Sequence, residues 1–185
     1  MRIGLISDTH IPVAMPHLWP EIYEAFRGVD LIMHGGDLLV TDVLDWLEEI
    51  APVMAVEGNG DYTGWERSQR PADTRLSEAK VLSLDLPHER KLRIGLVHDL
   101  QEAEAPPLRT LESQMLHHFG GPVHVIVRGS THRAHVGTTK GVLIVNPGST
   151  TFPNHQSTRP GTIGFLDIDE YGRVSPSLVQ LRGEG

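Results

Sequence analysis

The stretch GLISDTHIP (residues 4–12) leaves a run of small and branched apolar residues and delivers an Asp and a His two positions apart. A short apolar run of this kind reads as a buried strand, so Asp8 and His10 stand where the chain comes off it. Taken alone, a polar turn capping the next element accounts for the pair, because a lone D-x-H is a weak motif. Its meaning depends on whether oxygen and imidazole donors recur where other strands end.

Working outward, apolar runs of strand length alternate with amphipathic stretches. RIGLIS (2–7) precedes LWPEIYEAFRG (18–28), where Leu18, Ile22, Ala25 and Phe26 fall at helical spacing and Gly28 can close the helix. A strand VDLIMH (29–34), a helix TDVLDWLEEI (41–50) with Thr41 as its N-cap, and a strand PVMAVEG (52–58) follow. This β-α-β-α-β order predicts parallel strands with right-handed crossovers. Residues 60–75 read as a loop with little periodicity. AKVLSLDL (79–86) and RKLRIGLVH (90–98) read as a hairpin over the turn-forming PHE, a helix fits 108–120, and VHVIVRGS (123–130) returns as a strand. Strands are also predicted in 140–149, 161–169 and 175–181, with EYG (170–172) at a hairpin tip. The expectation is a single α/β domain over 1–185. Two sheets share one core with helices outside, parallel in the first half and more antiparallel in the second.

Composition narrows the functions. The chain has 185 residues, 39% hydrophobic and 22% charged, a length that suits one domain. No apolar run approaches the roughly 18 residues of a membrane span, and the amino terminus lacks the charge and apolar core of a leader, so a cytoplasmic location is the default. Cysteine is absent, which excludes disulfides, thiolate metal sites and a Cys nucleophile. A net charge of -8 argues against broad binding to nucleic acid or an anionic membrane. A small anionic substrate held through bound cations is compatible with it, and self-association is left open.

The donors do recur. Strand ends carry SDTH (Asp8, His10), HGGDLL (His34, Asp37), EGNGD (Asn59, Asp61), LVHD (His98, Asp99) and RGSTHRAH (Ser130, His132, His135). Carboxyl ends of parallel strands lie along one edge of a sheet, so clusters distant in sequence can converge there. Carboxylate, amide and imidazole donors without thiolate suit Mn, Fe or Zn in a hydrolytic site. Two such ions roughly 3.5–4 Å apart can bind an attacking hydroxide and the phosphoryl oxygens together. Asp37, in the middle of the set, is the natural bridging carboxylate.

The order DTH, GD, GN, H, TH resembles the calcineurin-like metallophosphoesterases, and NPGS (146–149) with the short length is similar to their small YfcE-type branch. The resemblance runs from residue 3 to about 169. It implies a four-layer α-β-β-α sandwich and phosphodiester hydrolysis by metal-activated hydroxide. The metals would be two divalent transition ions, manganese first, with iron, nickel or zinc as alternatives. By the same resemblance Asp8, His10, Asp37 and His132 hold the first metal, and Asp37, Asn59 and His98, with Ser130 in the family's remaining ligand position, hold the second. Asp37, Asn59 and His98 would also carry the catalytic work, and NPGS would wall the pocket.

Three positions depart from that pattern. The family's Gly-His-x-His is GSTH here, so Ser130 replaces an imidazole; Gly60 stands where a His or Cys follows the Asn; and HDL (98–100) lacks the second imidazole of His-Gly-His. A neutral hydroxyl is a poor ligand for a transition ion, so the second site should be the weaker. A second function class therefore stands beside the enzyme: a weakened phosphoesterase fold acting as a binding or scaffold module, comparable to the family's retromer subunit. Of the remaining histidines, His17, His88, His117 and His118 read as solvated surface, and His34 and His124 as structural, while His135 could compensate for a lost imidazole. Arg128, Arg133 and Arg159 read as solvent-facing unless they meet a phosphate.

Overall fold

The computed structural model describes residues 1–62, 73–101 and 109–183. Most of the loop read over 60–75, and the first residue of the helix read over 108–120, fall outside them. Along the chain run β1 (Arg2–Ile6), α1 (Pro20–Ala25), β2 (Leu31–His34), α2 (Asp42–Glu48), β3 (Val53–Ala55), α3 (Asn59–Tyr62), β4 (Ala79–Leu86) and β5 (Arg90–Val97). They continue as α4 (Leu111–Phe119), β6 (Val125–Arg128), β7 (His135–Thr139), β8 (Val142–Asn146), a 3₁₀ turn (Pro153–His155), β9 (Thr162–Ile168) and β10 (Val174–Gln180).

The strands form two five-stranded sheets, ordered β10-β9-β1-β2-β3 and β4-β5-β6-β8-β7. In the first, β1, β2 and β3 are parallel, β9 is antiparallel to β1, and β10 is antiparallel to β9. In the second, β5, β6 and β8 are parallel, with β4 and β7 antiparallel at its edges. The second half is more antiparallel, as expected, though β5, β6 and β8 keep a parallel centre. The predicted hairpin of β4 and β5 pairs Leu86 with Arg90. Strand β7 is absent from the sequence reading because an edge strand with nearly every side chain exposed carries no apolar alternation.

Three apolar clusters separate four layers. Ile3, Leu5, Met33, Leu92, Ile94, Leu96, Val125 and Val127 pack between the two sheets. Ile22, Phe26, Val43, Leu44 and Leu47 of the first two helical segments cover the outer face of the first sheet through Ile6, Ile32, Ala55 and Phe165. Leu111, Met115 and Phe119 of α4 cover the second through Val97, Ile126 and Val142. Each sheet seats its helix over a glycine. A methyl at Gly4 would come 2.9 Å from the Phe26 ring, and one at Gly95 would come 2.6 Å from Phe119.

Helix α4 is capped as sequence logic requires. Ser113 N–H donates to Thr110 Oγ1, Thr110 N–H donates to Ser113 Oγ, and Gly120 ends the helix at φ 67°. Thr41 does not cap α2. Its backbone is already helical, at φ -75° and ψ -10°, and its buried hydroxyl has no partner among the described residues. Asp42 and Asp45 supply negative charge in that first turn instead. Gly28 lies beyond the end of α1, in the left-handed turn leading to β2. No described helix is long and apolar enough to cross a membrane.

Candidate metal centre

The segments leaving β1 and β2 stay paired after the strands end: Asp8 N–H donates to Gly36 O, His10 N–H to Asp37 O and Ile11 N–H to Leu38 O, each at 3.0 Å. This pairing fixes two donor loops against each other. Asp8, His10, Asp37, Ser130 and His132 all have positive φ, between 46° and 75°. Such conformations cost of order 1–3 kcal/mol each and persist where surrounding bonds over-determine them, commonly at functional sites.

Within this frame one ligand atom each from Asp8, His10, Asp37 and His132 lies within 4.8 Å of the others. The Nε2 atoms of His10 and His132 are 3.0 Å apart. His132 Nε2 is 3.4 Å from Asp8 Oδ1. Asp37 Oδ2 is 3.5 Å from His10 Nε2 and, on its other side, 3.5 Å from His98 Nε2. His98 Nε2 in turn meets Asn59 Oδ1 at 3.2 Å. Among the described residues, Asp37 is thus the carboxylate between two donor groups, one containing Asp8, His10 and His132, the other Asn59 and His98.

Backbone carbonyls set the imidazole tautomers. His98 Nδ1 is 2.6 Å from Gly35 O, and His132 Nδ1 is 2.7 Å from Phe152 O. A carbonyl only accepts, so both rings carry their proton on Nδ1 and present an Nε2 lone pair to the centre, as metal-binding histidines do. Burial reinforces the neutral state, holding His132 down at about 4 and His10 below its ordinary value. Burial also pushes the Asp8 carboxyl up to about 7, opposed by His98 and by the Ser7 hydroxyl 2.7 Å from Oδ2. Neutral imidazole lone pairs beside buried carboxylates make a donor set that a divalent cation satisfies.

The supporting bonds explain several donors. The Asp61 carboxylate accepts from Asp37 N–H at 3.0 Å, Leu39 N–H at 2.8 Å and Gly58 N–H at 2.8 Å, so it positions the Asp37 loop and does not face the centre. Gly60 lacks a side chain but its N–H donates to Asp37 Oδ1 at 2.7 Å. The Asn146 amide donates to Gly129 O and Thr131 Oγ1 and accepts from Gly148 N–H, tying β8 to the loop that carries Ser130 and His132. Ser149 Oγ donates to Asp8 O, and Thr151 Oγ1 to Thr9 O, each at 2.7 Å. The NPGSTT segment therefore acts through hydroxyls and an amide that brace the ligand loops.

A cavity of 480 Å³ opens onto these groups, lined by His10, Asp37, Asn59, Ser130, His132, His155 and the apolar Val13, Ala14 and Phe152. Ser130 lies at its wall, and its backbone N–H donates to Asp8 Oδ1 at 3.2 Å. His155 was not singled out in the sequence. Its ring stacks on His132, with centroids 3.6 Å apart at 26°. No spacing rule reaches it, because it sits in a Pro- and Asn-rich turn away from any strand end.

Other candidates fall elsewhere. His34 is fully buried, accepts Gly36 N–H on Nδ1 and meets Thr9 Oγ1 through Nε2; burial holds it neutral, down at about 3, in a structural role. His135 faces a different cavity, beside Arg128 and Gln114, and replaces no imidazole at the centre. Arg128 is buried and donates to Leu100 O. Asp99 is exposed. Glu78, His117 and His118 approach one another at the surface, with His117 Nε2 4.0 Å from Glu78 Oε1.

Comparison with known proteins agrees with this geometry. Residues 1–171 match the family described as the calcineurin-like phosphoesterase superfamily domain. A "probable metallophosphoesterase" of Methanothermobacter thermautotrophicus is 35% identical over 156 residues, covering 83% of this chain and 79% of the relative. Among solved structures, zinc-complexed Vps29 from Entamoeba histolytica superposes with a TM-score of 0.66 at 20% identity, over 97% of this chain and 99% of that one. A structure described as a novel archaeal phosphodiesterase superposes with a TM-score of 0.60 at 21% identity, over 98% and 100%. At such identities the superpositions speak for the fold and do not choose between those two proteins' roles.

Proposed function

The chain belongs to the calcineurin-like phosphoesterase superfamily, and from that premise we propose that it is a metal-dependent phosphodiesterase working through a centre of two divalent ions, manganese first. The observation that carries the reading is Asp37 Oδ2, 3.5 Å from an imidazole nitrogen on either side. Asp8, His10 and His132 would complete one site. Asn59 and His98 would complete the other, with Ser130 at its edge. When bound, the cations supply Lewis-acid polarisation of the phosphoryl oxygens and a water acidified to serve as nucleophile.

This chain's residues do the positioning. The Gly35 and Phe152 carbonyls hold the Nε2 atoms of His98 and His132 toward the centre. Asp61 and Gly60 fix both the backbone and the carboxylate of Asp37. Gly60 offers no side chain to protonate a leaving group, so the reaction should favour diesters whose leaving group departs as a stabilised anion. The test is hydrolysis of bis(4-nitrophenyl) phosphate by protein purified without chelator and loaded with Mn²⁺. Metal-dependent turnover that chelation abolishes supports the reading, and no turnover with full metal content contradicts it.

One observation favours a second reading. The hydroxyl at Ser130 leaves the second site with one strong donor fewer, and the bare Gly60 removes a group near the substrate, as expected for a binding or scaffold module that keeps one metal. That reading predicts one ion per chain and no catalysis.

A further inference from the structure

A second cavity, of 420 Å³, adjoins the first at His132. Its lining includes Arg133, Asn154, Arg159, Thr162 and Gln180, it has no carboxylate among the described residues, and it shares His132 with the metal pocket. Both arginines are exposed, and among the described residues neither guanidinium makes a hydrogen bond or ion pair. What singles the pair out is that both line one cavity, in a chain of net charge -8. Arg2, Arg27, Arg75, Lys91 and Lys140 each face a carboxylate.

The backbones under the two arginines are fixed. Arg159 N–H donates to Thr151 O at 3.0 Å, on the segment that braces the ligand loops, and Asn154 N–H donates to His132 O at 3.0 Å. Arg133 follows His132 directly, so its Cα is ~3.8 Å from that of the residue facing the metals. A guanidinium forks naturally onto phosphate oxygens.

The geometry points to an anion subsite: Arg133 and Arg159 receive a second, non-scissile phosphate one linker away from the phosphodiester at the metal centre. The substrate class is then a nucleotide-like diester carrying a further phosphate, and not a simple dialkyl or diaryl phosphate. This rests on the phosphodiesterase reading for the identity of the first phosphate. The subsite itself rests on the cavity and the two unpaired cations.

The test uses a matched pair, thymidine 5'-(4-nitrophenyl phosphate) with and without a 3'-phosphate, on the manganese-loaded full chain at low salt. The wild type should favour the 3'-phosphorylated substrate by about tenfold in kcat/KM, as expected for one or two charge-assisted contacts. The ratio should collapse toward one in R133Q/R159Q, recover in part in R133K/R159K, and shrink as salt rises. An unchanged ratio in the Gln variant, or an equal fall for both substrates, overturns the subsite. If neither substrate is hydrolysed, the phosphodiesterase reading fails by itself. Calorimetric titration with thymidine 3',5'-bisphosphate then decides: weaker binding to R133Q/R159Q than to wild type supports the subsite, and equal binding overturns it.

Discussion

His10 and His132 stand 122 positions apart in the chain and bring their Nε2 atoms to 3.0 Å from each other. Burial keeps both rings neutral, and the Phe152 carbonyl fixes the proton of His132 on Nδ1. With Asp8 Oδ1 at 3.4 Å from one ring and Asp37 Oδ2 at 3.5 Å from the other, the four groups share one focus. A divalent cation is the species that favours lone pairs and carboxylates converging in this way.

Asp37→Ala should remove most of the bound metal and lower metal-dependent hydrolysis by about a thousandfold, because losing several kcal/mol of charge stabilisation costs a factor of ten per 1.36 kcal/mol. Metal content and kcat measured on the same preparation check this. Full metal content with full turnover would show that Asp37 bridges nothing.

Asp61 tests positioning separately from ligation. Its carboxylate takes three backbone N–H bonds around Asp37. Asp61→Ala should weaken metal binding by 10- to 100-fold, as supporting shells around metal sites typically do. Asp61→Asn, which keeps one acceptor oxygen, should fall between it and wild type. Competition with a fluorescent chelator reads the affinities. Equal affinity in all three proteins would reduce Asp61 to a fold residue.

How far the sequence led is clearest at these residues. Asp8, His10 and Asp37 were legible because the parallel strands β1 and β2 deliver their exits to one edge, whereas His132, which follows β6 of the other sheet, was joined to them through the TH of the family pattern. Asp61 was legible as a polar group near the site, but its role was not, since three N–H donors on two loops have no sequence signature. His155 was missed, and Asn146, read within NPGS only as part of a pocket wall, was not seen as a brace, for the same reason: their contacts depend on how β8 and the turn after it fold back on the loop after β6. Strand β7 was missed because its side chains face water on both sides. Thr41 misled because a cap residue type guarantees no cap when its own backbone is already helical.

The metal-free protein should lose stability in acid. His34 and His132 have folded pKa values held down at about 3 and about 4. Neutral imidazoles therefore contribute stability that is present above the unfolded value near 6.5 and is lost as pH falls toward 4. His34→Asn, which can still accept the Gly36 N–H, should flatten that acid limb. Melting temperatures between pH 7 and pH 4 give the comparison, and identical slopes for both proteins would contradict it.

Metal should stabilise more as pH rises. The Asp8 carboxyl is pushed up to about 7, so the stability it contributes when neutral is lost as pH rises from near 4 through 7, and a bound cation favours the ionised form. The rise in melting temperature caused by saturating Mn²⁺ should grow between pH 5.5 and pH 8. A constant rise across that range would mean that Asp8 does not ionise on binding.

Restoring an imidazole at position 130 should strengthen the weaker site. Ser130 is at φ 75°, a conformation that His tolerates better than most residues, and it lines the metal pocket. Ser130→His should raise activity at limiting Mn²⁺ by about tenfold or more, with little change at saturation, since imidazole far exceeds a neutral hydroxyl as a ligand. Activity titrated against free Mn²⁺ for both proteins checks it, and superimposable curves would remove Ser130 from the site.

Anomalous diffraction at the manganese edge, on crystals grown with Mn²⁺ and no chelator, tests the central claim most directly. Two peaks per chain are predicted, both within bonding distance of Asp37, one shared with Asp8, His10 and His132 and the other with Asn59 and His98. A single peak, or two peaks that do not share Asp37, would contradict a binuclear centre.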